Sequence, residues 1–196
     1  MAMVVRNVVG TYKQDATRLL DIVRDVQKQL GCVNDEAIGL IAREMNISRA
    51  DVDGVVTFYH FFSKTPVGKN TIYLNNSITS VMNGMKAVAK AFEEAAGCQF
   101  GQVSADGQIG LFYTACIGMN DQEPAAIIND VVFTRLTPDK AKSIVASLRA
   151  GKKAEELVTT YGDGKNQHEL IRSMVNSNIQ KTGPVVLADF QSGSAL

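Results

Sequence analysis

The chemistry this sequence could perform concentrates in LFYTACIGMNDQEPAAIIND, residues 111–130. An apolar run ends in a lone cysteine, Cys116, and a glycine turn, Asp121, Pro124 and a second apolar run follow. That is the outline of a metal-binding loop between two strands, because thiolates ligate soft metal ions. One thiolate does not make such a site. The other cysteines, Cys32 and Cys98, are distant in sequence, and no C-x-x-C pair occurs. Spacing alone therefore reads as three ordinary thiols in a reducing compartment, with neither a disulfide framework nor a dithiol redox centre. His60 has no neighbouring ligand or carboxylate motif, so a structural role is expected. The glycine-rich YGDGK, residues 161–165, follows no strand and opens no dinucleotide fingerprint; it reads as a linker turn.

The elements that must position Cys116 follow from periodicity. Leu19, Ile22, Val23, Val26 and Leu30 recur at helical spacing and stop at Gly31. Asn34, ahead of Asp35 and Glu36, caps a second helix with the stripe Ala37, Leu40, Ile41 and Met45. Ser48 with Asp51 starts a third, carrying Val52, Val55, Val56 and Tyr59. Short connections pack these helices on each other. The aromatic FYHFF, residues 58–62, is expected as a helix end buried against a neighbouring domain. KTPVGKN then breaks the pattern.

Beyond it, TIYLN reads as a strand, and Val81, Met85, Val88 and Phe92 as one helix closed by Gly97. After the turn ADGQ comes a strand over 109–114. Two short strands, 126–129 and 131–134, turn tightly at Asn129-Asp130. A last helix is capped by Thr137 with Pro138 at its first position. Residues 151 to about 166 read as a polar linker with room for one helical turn. A short helix over 168–176 and a tail with a strand-like 185–187 follow. The pattern predicts an α/β protein: a small sheet with helices packed on it, compatible with a thioredoxin-like layer among other α/β topologies.

Of 196 residues, 45% are hydrophobic and 20% charged, with formal net charge zero. This supports a globular core and argues against broad electrostatic binding of nucleic acid. No run is long enough for membrane insertion, and MAMVVRNVVG has neither the length nor the flanks of a signal peptide. A cytoplasmic protein is expected.

GVVTFYHFFSKTPVGKNTIYL (54–74), CIGMNDQEPAAIIND (116–130) and FTRLTPDK (133–140) carry a family resemblance. Over about residues 10–150 the chain resembles the thioredoxin-like 2Fe-2S ferredoxin subunits of NADH-oxidising modules, in respiratory complex I and in NAD-linked hydrogenases and formate dehydrogenases. FYHFF, CIGMNDQEP, VVFTRL and the tail MVNSNIQKTGPVV are most similar to the N-terminal region of the flavin-bearing diaphorase subunit of bacterial NAD-reducing nickel–iron hydrogenases. The resemblance implies an N-terminal helical bundle over 1–68 and a thioredoxin-like ferredoxin domain over 69–150. Residues 151–196 then form a linker, a short helix and an extended partner-binding tail.

The resemblance also implies where a cluster would sit. The family's C-x(4)-C and C-x(3)-C positions fall on Asn75, Ser80, Cys116 and Asn120. The spacing survives, but three of the four thiolates do not. A 2Fe-2S core is held by four thiolates, or by two thiolates and two imidazoles, so this site is expected to be degenerate. No metal, no cofactor and no catalytic residue is expected in this chain. Asn75, Asn76, Ser77, Ser80 and Asn120 are expected to hold the loops by hydrogen bonds, and Cys116 to be a small buried thiol.

The implied role is an accessory, structural subunit of an NAD(H)-linked oxidoreductase. Its partners would be an FMN/NADH-binding flavoprotein, an iron–sulfur subunit and hydrogenase subunits, which carry the FMN, NAD and iron–sulfur clusters. The alternative is a 2Fe-2S electron-transfer subunit of an NAD-linked hydrogenase or formate dehydrogenase. A free-standing thioredoxin-like binding protein is a third possibility.

Overall fold

The computed structural model of the chain describes residues 1–158 and Asp163. The helix (168–176), the strand-like 185–187 and most of the tail expected from the sequence lie outside them.

Four helices build the first core: α1 Ala2–Thr11, α2 Leu19–Leu30, α3 Asp35–Met45 and α4 Arg49–Phe58. The caps read from the sequence are present. Asn34 and Ser48 each accept a backbone N–H with the side chain, and Gly31 ends α2 in the left-handed region. The stripes converge as expected, with Ile22, Val23, Val26, Ile38, Ile41 and Val52 fully buried. α1 was not legible as an element. Its Val5, Val8 and Val9 form a short stripe that enters the same core.

A hydrogen bond ties α1's exit to α2: the Tyr12 hydroxyl donates to Asp25 Oδ2 at 2.5 Å. This bond holds the Asp25 carboxyl below the usual carboxylate range, against the opposing effect of burial and with further help from Arg24. A lowered folded-state pKa adds stability above the unfolded value of about 3.9, and that stability is lost as pH falls through the folded value. Tyr12→Phe is therefore expected to lower the melting temperature at neutral pH, with the deficit shrinking at strongly acidic pH. Thermal melts across that range check it; a deficit independent of pH contradicts it.

The second core is a five-stranded sheet in the order β2-β3-β1-β4-β5. The strands are β1 Asn70–Asn75, β2 Gln102–Val103, β3 Ile109–Thr114, β4 Ala126–Ile128 and β5 Val131–Phe133. β1 and β3 are parallel, and the remaining pairs are antiparallel. Alternation puts Ile72, Leu74, Ile109, Leu111, Ala126 and Ile128 toward α6 Met85–Ala96 and α7 Pro138–Arg149. Phe92 and Phe133 fill the space between the layers, both fully buried. Asn129 and Asp130 both have positive φ, which suits the two-residue hairpin between β4 and β5.

Three sequence expectations are corrected. The stripe from Val81 to Phe92 belongs to two helices, because Gly84 at φ +90 separates α5 Ile78–Met82 from α6. Val81 is consequently solvent-facing. The aromatic segment is not a buried helix end: α4 stops at Phe58, which is 80% exposed, and Tyr59 turns to extended backbone. Only part of it packs. Phe61 meets Tyr73 edge-on at 4.9 Å, and His60 Nε2 lies 2.9 Å from the Tyr113 carbonyl. Finally, the segment from residue 151 has the one helical turn the sequence allowed, but it is not a detached polar linker. Ala154 is buried, and Leu157 and Val158 pack against the second core around the turn Ala154–Leu157.

Candidate functional site

Parallel pairing of β1 with β3 sets Asn75 beside Thr114. The two strands end together, so the loops that leave them face each other. Asn75 closes β1, and Ser80 lies in α5. Cys116 and Asn120 lie in the loop from β3 to β4. Asn75 and Ser80 are fully buried, whereas Asn120 and Cys116 are exposed. The expectation of a buried Cys116 is thereby corrected: the loop carries it out past the end of the sheet.

The side chains form a continuous polar network. Asn75 Nδ2 donates to Glu123 Oε1, and Asn75 Oδ1 accepts from the Ser77 N–H at 2.9 Å. The Ser77 and Thr79 hydroxyls lie 2.9 Å apart. Thr79 Oγ1 donates to Asn120 Oδ1 at 2.9 Å, and Cys116 Sγ reaches the same oxygen at 3.3 Å. The Gly118 N–H points at the sulfur at 3.4 Å. Glu123, also buried, accepts the Ala125 N–H at 2.7 Å. Hydrogen bonds thus join the two loops, as expected, through Asn75, Ser77 and Asn120. Thr79 and Glu123 were missed by sequence reading. Thr79 hides in a generic polar run, and Glu123 sits beside Pro124 with no spacing signal.

Ser80 departs from that expectation. Its hydroxyl is buried and has no hydrogen-bond partner. A buried, unpaired hydroxyl is destabilising, typically by about 1–3 kcal/mol. Ser80→Ala is therefore expected to raise stability by about 1 kcal/mol, read from urea unfolding. A loss of that size would mean the hydroxyl has a partner in solution.

This donor set does not fit a 2Fe-2S core. Both ends of the Asn75 amide are engaged, the Asn120 oxygen accepts twice, and a single thiol remains. Neutral amides and a hydroxyl leave the positive charge of the core uncompensated. Among the described residues, no group of three or more His, Cys, Asp or Glu could hold a metal ion.

The mixed sheet with two helices on one face and paired loops at the ends of β1 and β3 is a thioredoxin-like layer. A sequence model described as thioredoxin-like 2Fe-2S ferredoxin matches residues 5–149. The chain belongs to that family. It is 39% identical over 181 residues to the NAD-reducing hydrogenase HoxS subunit alpha of Cupriavidus necator, covering 92% of this chain and 30% of that protein. It is 34% identical over 128 residues to a subunit of the NADH-quinone oxidoreductase of Escherichia coli K12, covering 65% of this chain and 77% of that one. A crystal structure of an NAD+-reducing NiFe hydrogenase in the air-oxidized state shares the fold. The TM-score is 0.61 at 24% identity, over 69% of this chain and 23% of that one. The chain thus spans under a third of the length of the hydrogenase relative.

Proposed function

We propose that this chain is an accessory, cluster-free subunit in the diaphorase half of a cytoplasmic NAD-reducing hydrogenase. It packs on the subunit that binds FMN and NADH, within an assembly that also holds iron–sulfur and hydrogenase subunits. Residues 1–68 and 69–150 form its helical and ferredoxin-type parts, and 151–196 its partner-binding tail. Hydride chemistry belongs to the flavin of the neighbour. This chain contributes a shaped surface.

One observation carries the reading. The four positions that the family spacing singles out hold one thiol, two amides and a hydroxyl, and the amides are committed to hydrogen bonds. The identity to a hydrogenase subunit supports the choice of assembly. Exposed Ile78 and Met82, one turn apart on α5 beside the loops, support a subunit role, because adjoining surface apolar groups mark contact sites. The family itself favours a second reading, an electron-transfer subunit with a cluster at these loops.

The assembly is tested by native purification from cells that also make the flavoprotein. Co-elution of the two as a stable complex is expected. A chain that runs alone as a monomer under those conditions overturns the proposal.

A further inference from the structure

The helical core and the sheet core share no residue. Among the described residues, the hydrogen bonds and ion pairs that leave residues 1–58 end within the connector 59–69. Gln27 Nε2 donates to the Phe61 carbonyl at 2.7 Å, and its Oε1 accepts the Ser63 N–H at 2.8 Å. The Val33 N–H donates to the Ser63 carbonyl at 2.7 Å. Lys64 Nζ pairs with Asp53 and Asp35 of the helices, and Phe62 packs against their core. The Thr65 N–H turns back to Ser63 Oγ at 3.1 Å. As far as Thr65, the connector is therefore part of the helical unit.

From Val67 onward it is part of the sheet. Val67 is buried, and its carbonyl oxygen lies so close over Gly110 that a Cβ there would approach it to 2.0 Å. The Lys69 N–H donates to the Gly107 carbonyl at 2.9 Å. Pro66 is left between the two anchored ends, exposed to solvent. Its ring fixes φ and leaves ψ free to turn, and a joint needs only one or two such backbone torsions.

The contacts that hold the helical unit down on the sheet are few and wet. His60, exposed, reaches the Tyr113 carbonyl with Nε2 at 2.9 Å, and its ring centroid lies 5.9 Å from that of Tyr73. Phe61 meets Tyr73 edge-on and is itself 44% exposed. Between connector and sheet a cleft of about 270 Å³ stays open, lined by His60, Ser63, Val67, Tyr73, Phe112 and Tyr113. Such a gap forfeits the dispersion contacts that close packing supplies. Few buried apolar contacts and solvent-exposed hydrogen bonds mark a region that opens well below the global unfolding free energy.

We propose that the four-helix unit, residues 1–65, is a movable arm that pivots at Pro66, with His60 and Phe61 as the latch of its closed position. Closed, the arm covers Tyr73, which is 9% exposed. Open, it bares Tyr73 and the floor of the cleft while both cores stay intact. The two positions differ only at the latch, so the balance between them is set by those two side chains.

The test is double electron–electron resonance on the full-length chain with Cys32, Cys98 and Cys116 changed to serine. Spin labels go on Met3→Cys of α1 and Lys86→Cys of α6, both exposed. With the latch intact, one dominant distance is expected. With His60→Ala and Phe61→Ala together, a second distance is expected, and the open-to-closed ratio should rise on the order of tenfold. Phe61→Leu keeps an apolar side chain but loses the edge-on ring contact. It should move the same ratio in the same direction, and it serves if the double variant does not fold. Labels on Met3→Cys and Arg24→Cys, both within the arm, should keep one narrow distance in every variant. An unchanged Met3–Lys86 distribution in a folded latch variant overturns the inference. Broadening of the Met3–Arg24 distance also overturns it, because residues 1–65 would then not move as one body.

Discussion

The variant Asn75→Cys, Ser80→Cys, Asn120→Cys, with Cys116 left in place, is expected to take up iron and sulfide where the native chain does not. Reconstitution should yield a coloured protein with about two irons and two sulfides per chain, the content of a 2Fe-2S centre. The expectation follows from geometry. β1 and β3 end in register, and the two loops already meet through the Thr79–Asn120–Cys116 contacts. What is missing is ligand chemistry: thiolates neutralise the core and bond to it, whereas amides and a protonated hydroxyl do neither. Asn120→Cys alone provides two thiolates and should remain colourless. The engineered chain gives up the Asn75–Glu123 hydrogen bond, so its apo form should be less stable than wild type and regain stability on reconstitution. A colourless triple variant that is folded would mean that the four positions do not converge.

Gly110→Ala is expected to cost about 3 kcal/mol, the upper end of overpacking penalties. Its backbone is ordinary β, so conformation is not the reason. A Cβ built there would lie 2.0 Å from the Val67 carbonyl oxygen and 2.8 Å from the Phe112 ring. The first of these is backbone and has no rotamer to change. Val67 belongs to the connection that brings the chain from the helical core across β3, and Gly68, at φ +86, holds that crossing against Gly110. The substitution must push this connection off the sheet. The packing of Phe61 and His60 on Tyr73 should suffer with it. Urea unfolding of the variant checks the size of the effect, and a cost under about 1 kcal/mol would mean that the crossing relaxes freely.

Local signals were easy to read and long-range ones were not. The caps at Asn34, Ser48 and Thr137 and the stop at Gly31 are determined by residues within a turn of each other, and they stand where the sequence puts them. The strands at 70–75 and 109–114 are apolar runs that had no other reading. α1 escaped because it lacks a side-chain cap and its stripe is only three valines. The helix break at Gly84 escaped because Val81 and Met85 keep helical spacing across it by coincidence. At the site, the spacing of Asn75, Ser80, Cys116 and Asn120 was readable only through the family resemblance. Glu123, the buried partner of Asn75, is 48 residues away in sequence. Asp163 is further still from prediction. It looks like one polar residue in a glycine turn, and its burial depends on Thr134, 29 residues earlier.

The most direct test of a cluster-free fold is metal analysis of the native chain. The wild-type protein, expressed alone and purified without oxygen, is assayed for iron and acid-labile sulfide, then reduced with dithionite for EPR. Iron below about a tenth of an atom per chain, with no paramagnetic signal, is expected. About two irons and two sulfides per chain, with the spectrum of a reduced 2Fe-2S centre, would contradict it and make this chain an electron carrier.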